Sequence, residues 1–332
     1  MGGDLTVPVV PVSCFIAGGA GFIGSHFVDR LLADSQVERV IIFDNMSSGR
    51  EWHFARHLHD DRFAFVRGDV KDLDALTSAM RGHETVVHLA SNPDIARAQV
   101  DPTIDFDQGT LLTQNVVEAM RRSGARTVLY ASGSGVYGDL GEADASEDDA
   151  IGLPISTYGA SKLAGESLIS AYCYMFDLRG RAFRFGNVVG PRQTHGVGYD
   201  FIKRLLADSS HLDILGDGRQ SKSYIHVDDV VEAVLMAHRH GDKSYEVYNV
   251  ATEDYITVTE IAELAVEVLG LAPNAVPFRY SGGDRGWKGD VPVVRLATER
   301  IRTIGWRRRR SSRQALEVSM RSMLDDIRAK RM

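Results

Sequence analysis

Between an apolar run, Cys14–Ala17, and a helical pattern over Ser25–Leu32 lies Gly18-Gly19-Ala20-Gly21-Phe22-Ile23-Gly24, and no other stretch narrows the possible architectures as far. Glycines permit a tight turn and let backbone approach a pyrophosphate, which then rests on the N-terminus of the following helix. An acid, Asp44, closes the next strand-like run 20 residues after Gly24. A glycine triplet alone would mean no more than a turn. Strand, glycine turn, helix and acid together read as a dinucleotide site, with Gly18, Gly21, Phe22, Ile23 and Gly24 against the ligand. A carboxylate at Asp44 would accept hydrogen bonds from the ribose hydroxyls of NAD and repel the 2′-phosphate of NADP. The following Asn45-Met46-Ser47-Ser48-Gly49 puts no basic residue beside the acid. NAD is therefore the expected cofactor, with Asn45, Ser47, Ser48 and Gly49 included in its site.

Short apolar runs and helical patterns alternate through the first half. The runs Cys14–Ala17, Val40–Phe43, Phe63–Val66, Val86–Leu89, Val128–Ala131 and Ala182–Phe185 read as buried strands. Ser25–Leu32, Leu73–Met80, Leu111–Arg122 and Tyr158–Phe176 read as helices between them. This order predicts an α/β fold with a doubly wound parallel sheet. After Asn187 the pattern becomes turn-rich, then helical from Thr259, which predicts a smaller mixed α/β lobe. Residues 1–186 are assigned to the cofactor domain and 187–332 mainly to a substrate lobe. Part of 224–250, notably Tyr245–Val250, is expected to return to the first sheet. Thr257 and Glu260 have capping-box spacing before Ile261–Leu269, and glycine-rich Tyr280–Pro292 reads as a loop against the cleft.

The formal net charge of -7 argues against a broad nucleic-acid surface. Arg307–Arg310 is read as a solvated turn before the last helix. Two distant cysteines, Cys14 and Cys173, give neither a metal-ligand spacing nor a disulfide framework, so no metal site is expected and a cytoplasmic location fits best. The stretch Met1–Pro11 lacks signal-peptide character, and no apolar run is long enough for a membrane span.

Tyr158 and Lys162 stand four apart on a predicted helix and so share a face. A lysine ammonium, with the nicotinamide charge, would favour the phenolate, making the phenol a usable general acid or base beside a hydride acceptor. With the glycine loop, several further motifs stand in order: Gly68-Asp69-Val70, Val87-His88-Leu89-Ala90, Val136-Tyr137-Gly138, Tyr158-Gly159-Ala160-Ser161-Lys162, Asn187-Val188-Val189-Gly190-Pro191-Arg192 and Tyr224-Ile225-His226-Val227-Asp228-Asp229. In these the chain resembles the extended short-chain dehydrogenases/reductases, specifically NAD-dependent nucleotide-sugar epimerases and dehydratases. His195–Ile202 and Gly286–Pro292 are most similar to UDP-glucose/galactose 4-epimerases.

The resemblance implies that Asp69 and Val70 meet the adenine, and that Leu89, Ala90 and Ser91 line the cofactor past its pyrophosphate. It implies a substrate diphosphate on Asn187 and on Lys222, where many relatives carry arginine; lysine keeps the charge and loses the bidentate fork. Asn92, Arg192, Tyr199, Arg285 and Asp290 are further substrate candidates. The helices around Leu111–Arg122 and Tyr158–Phe176 imply a homodimer. The reaction implied is epimerisation at C4 of a UDP-hexose or UDP-hexuronate through a transient 4-keto sugar. Dehydrating relatives carry Thr-Asp-Glu before Val-Tyr-Gly, and decarboxylating ones keep the Glu; here Gly133-Ser134-Gly135 has no carboxylate. The Ser or Thr that relatives use beside the tyrosine falls at Gly133, leaving Ser134, and after it Ser132, as substitutes. A net nucleotide-sugar oxidoreductase, a dehydratase or decarboxylase, and a non-catalytic NAD-binding regulator stay open as alternatives.

Overall fold

The computed structural model describes residues 10–149, 152–241, 243–272 and 274–331; most of the stretch read for a signal peptide, 1–9, lies outside them. Strands β1 (Ser13–Ala17), β2 (Arg39–Asp44), β3 (Phe63–Arg67), β4 (Thr85–His88) and β5 (Thr127–Gly133) join Arg179–Phe185 and Tyr245–Val250 in one seven-stranded sheet. Every pairing in it is parallel. The order across the sheet is β3, β2, β1, β4, β5, Arg179–Phe185, Tyr245–Val250. Chain progression reverses between β1 and β4, which opens a crevice at the strands' C-terminal ends.

Helices α1 (Phe22–Leu32), α2 (Leu73–Met80), α3 (Leu111–Ser123) and α4 (Thr157–Phe176) follow the strands, and α5 (Val197–Ala207), α6 (Val227–Arg239), α7 (Val258–Val268), α8 (Glu299–Thr303) and α9 (Ser312–Arg328) come later. Successive strand residues face opposite sides. Cys14 and Ile16 of β1 pack with Phe27 and Leu31 of α1 and Val230 and Val234 of α6. Phe15 and Ala17 pack instead with Leu76, Val116, Met120 and Ile169 of α2, α3 and α4. Cover on both faces is why these strands are continuous apolar runs and not alternating ones. Both cysteines are buried and free.

A third core joins α5, α7 and α9 through Phe201, Ile261, Leu264 and Leu316. The Thr257/Glu260 capping box opens α7, and a second box, Ser311/Gln314, opens α9. The turn at Arg307–Arg310 is less free than the sequence suggests: Arg309 N donates to Asp229 at 3.1 Å, and Arg310 lies 3.8 Å from Asp228. Asn249, fully buried on the returning strand, ties the two lobes. Its Nδ2 donates to Ala145 O and Ala297 O at 2.8 and 3.0 Å, and its Oδ1 accepts from the Tyr137 hydroxyl at 2.8 Å.

Under the end of β5 lies a buried ion pair. Arg184 Nε and Nη2 donate to both oxygens of Glu166 at 3.0 and 2.7 Å, the Arg184 guanidinium stacks over Tyr137, and Ser132 donates to Glu166 Oε1 at 2.5 Å. Glu166→Gln removes the countercharge of a buried guanidinium and should lower unfolding free energy by ~3–5 kcal/mol. The measurement is urea unfolding, read as a lower midpoint at unchanged slope.

Candidate active site

The crevice at the β1/β4 reversal is a cleft of about 560 Å³. Its cofactor wall is backbone against backbone. Gly18 has φ +82°, and a Cβ there would lie 2.7 Å from Ala90 N. At Gly24 a Cβ would lie 2.6 Å from Gly19 Cα. Both cradles would be filled by any side chain, so the turn fits a pyrophosphate laid against it. The N-terminus of α1 has no side-chain cap, and its first N–H groups are free to meet an anion.

Asp44 reaches back to this turn. Its Oδ2 accepts from Ala20 N at 3.0 Å and its Oδ1 from Met46 N at 2.8 Å. Burial raises the Asp44 pKa, and these two N–H bonds pull it back down. Each oxygen keeps a lone pair for a ribose hydroxyl. Asn45, Ser47 and Ser48 line the cleft beside it; Gly49 does not, but packs under Asp44, where a Cβ would lie 2.9 Å from Oδ1. Asp69 and Val70 form the far end, and Leu89, Ala90 and Ser91 the wall opposite α1.

Tyr158 and Lys162 enter from the first turns of α4, whose N-terminus is capped by Ser156 accepting from Gly159 N at 3.1 Å. Lys162 Nζ lies 5.4 Å from the Tyr158 ring centroid and donates to Ala131 O at 2.8 Å. In the protein alone the phenol is not acidified as the sequence suggested. Burial pushes Tyr158 up to about 12, the Ser91 hydroxyl lowers it, and Asp105 raises it further. Burial also drops Lys162 to about 8, against support from Asp105 and Glu166. Desolvation outweighs the Ser91 hydroxyl at the phenol and the two carboxylates at the ammonium.

Of the two candidate serines, Ser132 already gives its proton to Glu166, while Ser134 lines the cleft at the start of the 3₁₀ turn Ser134–Tyr137. Gly133, between them, has extended backbone (φ −159°), and a Cβ there would meet nothing within 4 Å.

Among the substrate candidates, Asn92, Asn187, Lys222 and Asp290 line the cleft. Lys222 Nζ is paired with Asp290 Oδ1 at 2.5 Å, because strand Ser221–Lys222 runs beside Val293–Leu296. Three candidates do not line it. Arg192 is buried in an ion pair with Asp29 (2.6 Å) and donates to His53 O. Tyr199 on α5 lies under Lys203. Arg285 bridges Asp139 and Asp290 O, and so braces the wall from behind. The sequence reading missed Trp287 and the α9 residues Leu316, Ser319, Met320 and Met323, all of which line the cleft.

Residues 14–251 match the NAD dependent epimerase/dehydratase family. The chain belongs to this family. A UDP-glucose 4-epimerase of Mycolicibacterium smegmatis is 34% identical over 88% of this chain and 92% of its own. A crystal structure of UDP-galactose 4-epimerase superposes with TM-score 0.82 at 35% identity, covering 95% of this chain and 99% of that one. A dTDP-glucose 4,6-dehydratase double mutant from Streptomyces venezuelae, crystallised with NAD, gives TM-score 0.86 at 26% identity, covering 96% and 98%. This epimerase/dehydratase family member is an NAD-dependent enzyme of the extended short-chain dehydrogenase/reductase type. Among the described residues no helix is long and apolar enough to cross a membrane, and no cluster of His, Cys, Asp and Glu could hold a metal ion.

Two outcomes follow from this geometry. NAD should bind tighter than NADP when each is titrated into cofactor-free protein, because a 2′-phosphate would meet the Asp44 carboxylate. Gly133→Ser should fold with stability within ~0.5 kcal/mol of the parent, since it needs neither a special φ nor new space; thermal unfolding checks this.

Proposed function

We propose that the enzyme interconverts nucleotide sugars epimeric at C4, a UDP-linked hexose or hexuronate, with residues 1–186 serving chiefly the cofactor and 187–332 chiefly the substrate. The observation that carries the reading is the convergence of Tyr158 and Lys162 on the cofactor wall with no carboxylate facing the cleft beside them; Asp105 and Glu166, which act on the pair, do not line it. The carboxylates lining the cleft, among the described residues, are Asp44 and Asp69 at the cofactor end and Asp290 paired with Lys222. Elimination across C5–C6 needs a positioned acid and base. Glu166, the nearest acid below β5, is spent on Arg184 and Ser132. This supports epimerisation over dehydration.

Bound NAD would supply the hydride acceptor and return the hydride to the other face of the sugar. Tyr158 takes the C4 hydroxyl proton as the hydride leaves and gives it back on return, so neither proton nor cofactor is consumed. Lys162 holds positive charge beside the phenol and steadies the phenolate. Asn187 and Lys222 meet the diphosphate, the latter by exchanging Asp290 for a phosphate oxygen. The names of the relatives, UDP-sugar 4-epimerases among them, support this substrate class. Exposed Phe106, Tyr174, Met175 and Phe176 beside α3 and α4 support a dimer built on those helices, which sedimentation would test.

The direct experiment supplies UDP-glucose and UDP-galactose to protein with bound NAD, following sugar product and reduced cofactor together. The expected result is epimer without accumulating reduced cofactor. Reduced cofactor in proportion to product would make it a net oxidoreductase, and neither would make it a regulator. Tyr158→Phe should lower kcat by ~10²–10⁴-fold while NAD stays bound. Lys162→Met should impair both turnover and cofactor affinity.

A further inference from the structure

The family resemblance implies a Ser or Thr hydroxyl beside the tyrosine where this chain has Gly133. Neither neighbouring serine stands ready to replace it. Ser132 is committed to Glu166. Ser134 sits where the cleft meets a small pocket formed with Leu140 and Val294. From the opposite wall, Ser91, three residues beyond β4, lines the same cleft as Tyr158, and its hydroxyl lowers the pKa of the phenol.

Both chain segments are tied to one buried point. Asp105, 1% exposed, accepts from Asn92 Nδ2 at 2.8 Å and from Thr157 Oγ1 at 2.7 Å. Asn92 follows Ser91 in the chain, and Thr157 precedes Tyr158. Asn92 also closes its own turn, donating to Asp94 O at 2.9 Å and accepting from Asp94 N at 3.0 Å. Asp105 itself opens a single π-helical turn, Phe106–Thr110, a rare backbone form that concentrates at functional sites. A carboxylate this buried is costly when its bonded partners are neutral. The two donors reach different oxygens, so asparagine would set its own amide hydrogens against one of them, which is a geometric reason for the acid.

We propose that Ser91 supplies the hydroxyl partner of Tyr158 that Gly133 lacks, and that Asp105 is the positioning residue that holds the two against each other. This rests on the reading of Tyr158 as the proton-transfer group. The two residues act on the phenol with opposite sign: the Ser91 hydroxyl favours the phenolate, and the Asp105 charge disfavours it. Other groups around the phenol are Lys162 on its own helix, Glu166 one turn further, and Tyr130 and His88 beneath Lys162; burial drops His88 to about 3, so it is neutral.

The test reads the phenol directly. Fluorotyrosine incorporated throughout brings phenol titrations into a range the fold tolerates, and the Tyr158 fluorine signal is assigned by its loss in Tyr158→Phe. With NAD bound, Ser91→Ala should raise the Tyr158 midpoint and Asp105→Asn should lower it, the lost charge outweighing the loosened Ser91 contact, while Ser134→Ala leaves it in place. On an active substrate, Ser91→Ala should lower kcat ~10²-fold, the loss of one donor to developing charge. Should Asp105→Asn fold poorly, Thr157→Val removes one arm of the clamp without touching the charge, and kcat should fall with KM unchanged. A midpoint moved by Ser134→Ala and not by Ser91→Ala overturns the assignment of Ser91. Unmoved midpoints in both Ser91→Ala and Asp105→Asn overturn the whole inference. Absent turnover in the parent protein with these midpoint shifts intact would instead overturn the proposed reaction and leave the Ser91–Asp105 arrangement standing.

Discussion

One turn is held from three strands. Gly18 N donates to Phe43 O at 2.9 Å, Ala20 N donates to Asp44, and Ala17 O accepts from both Leu89 N and Ala90 N at 2.9 and 3.0 Å. These bonds draw the ends of β1, β2 and β4 together, and everything in the cleft follows from that closeness. The start of α1 is aimed at the crevice, Asp44 is brought to where a ribose would lie, and the chain leaving β4 must rise over the cleft as Ser91 and Asn92. A parallel sheet can do this only at its reversal point, where neighbouring connections leave in opposite directions.

Closeness has an electrostatic consequence. Tyr158 and Lys162 are both covered, so burial moves each toward its neutral form: the phenol up to about 12, the ammonium down to about 8. A lysine with a lowered pKa still donates to Ala131 O, which holds it beside the phenol whatever its charge. Asp105 then biases the balance, supporting the ammonium and opposing the phenolate. The phenol is thus held short of ionisation by the fold, and positive charge arriving in the cleft would favour the phenolate.

Much of this was legible in the sequence, and the reason is the same for each part. The strands of the sheet are covered on both faces, so apolar runs such as Val86–Leu89 mark them with little ambiguity, and glycines at 18, 21 and 24 mark a turn that admits no side chains. Asp44, Tyr158 and Lys162 lie at fixed offsets from those marks. What could not be read were contacts made by distant segments. Arg192 and Arg285 looked like free cations because nothing in sequence brings Asp29 or Asp139 to them. Met320 and Met323 lie on the buried face of α9, and that this face also floors the cleft depends on how α9 meets α5 and α7. The Tyr/Lys spacing that would favour a phenolate beside a nicotinamide is visible in sequence, and the burial that opposes it in the protein alone is not.

The substrate end of the cleft is built differently from the cofactor end. At the cofactor end, backbone N–H groups and fixed dipoles face the ligand and need no rearrangement. At the other, the basic side chain from the small sheet is Lys222, and Asp290 already occupies it. A diphosphate arriving there, as proposed, would exchange one carboxylate for a phosphate oxygen, so the net gain would be the difference between two similar charge-assisted bonds and not the full value of one. A lysine also grips from a single point, without the planar fork that would orient two oxygens. Orientation must then come from shape: Trp287 on one wall, whose ring lies so close to Gly289 that a Cβ there would be 2.3 Å from it, and Met320 and Met323 on the other. Methionine adapts to irregular surfaces, whereas the indole is rigid. On that reading, selectivity for the sugar would rest more on the fit between these walls than on charge, and Gly133 leaves open space beside them, since a Cβ there would meet nothing within 4 Å.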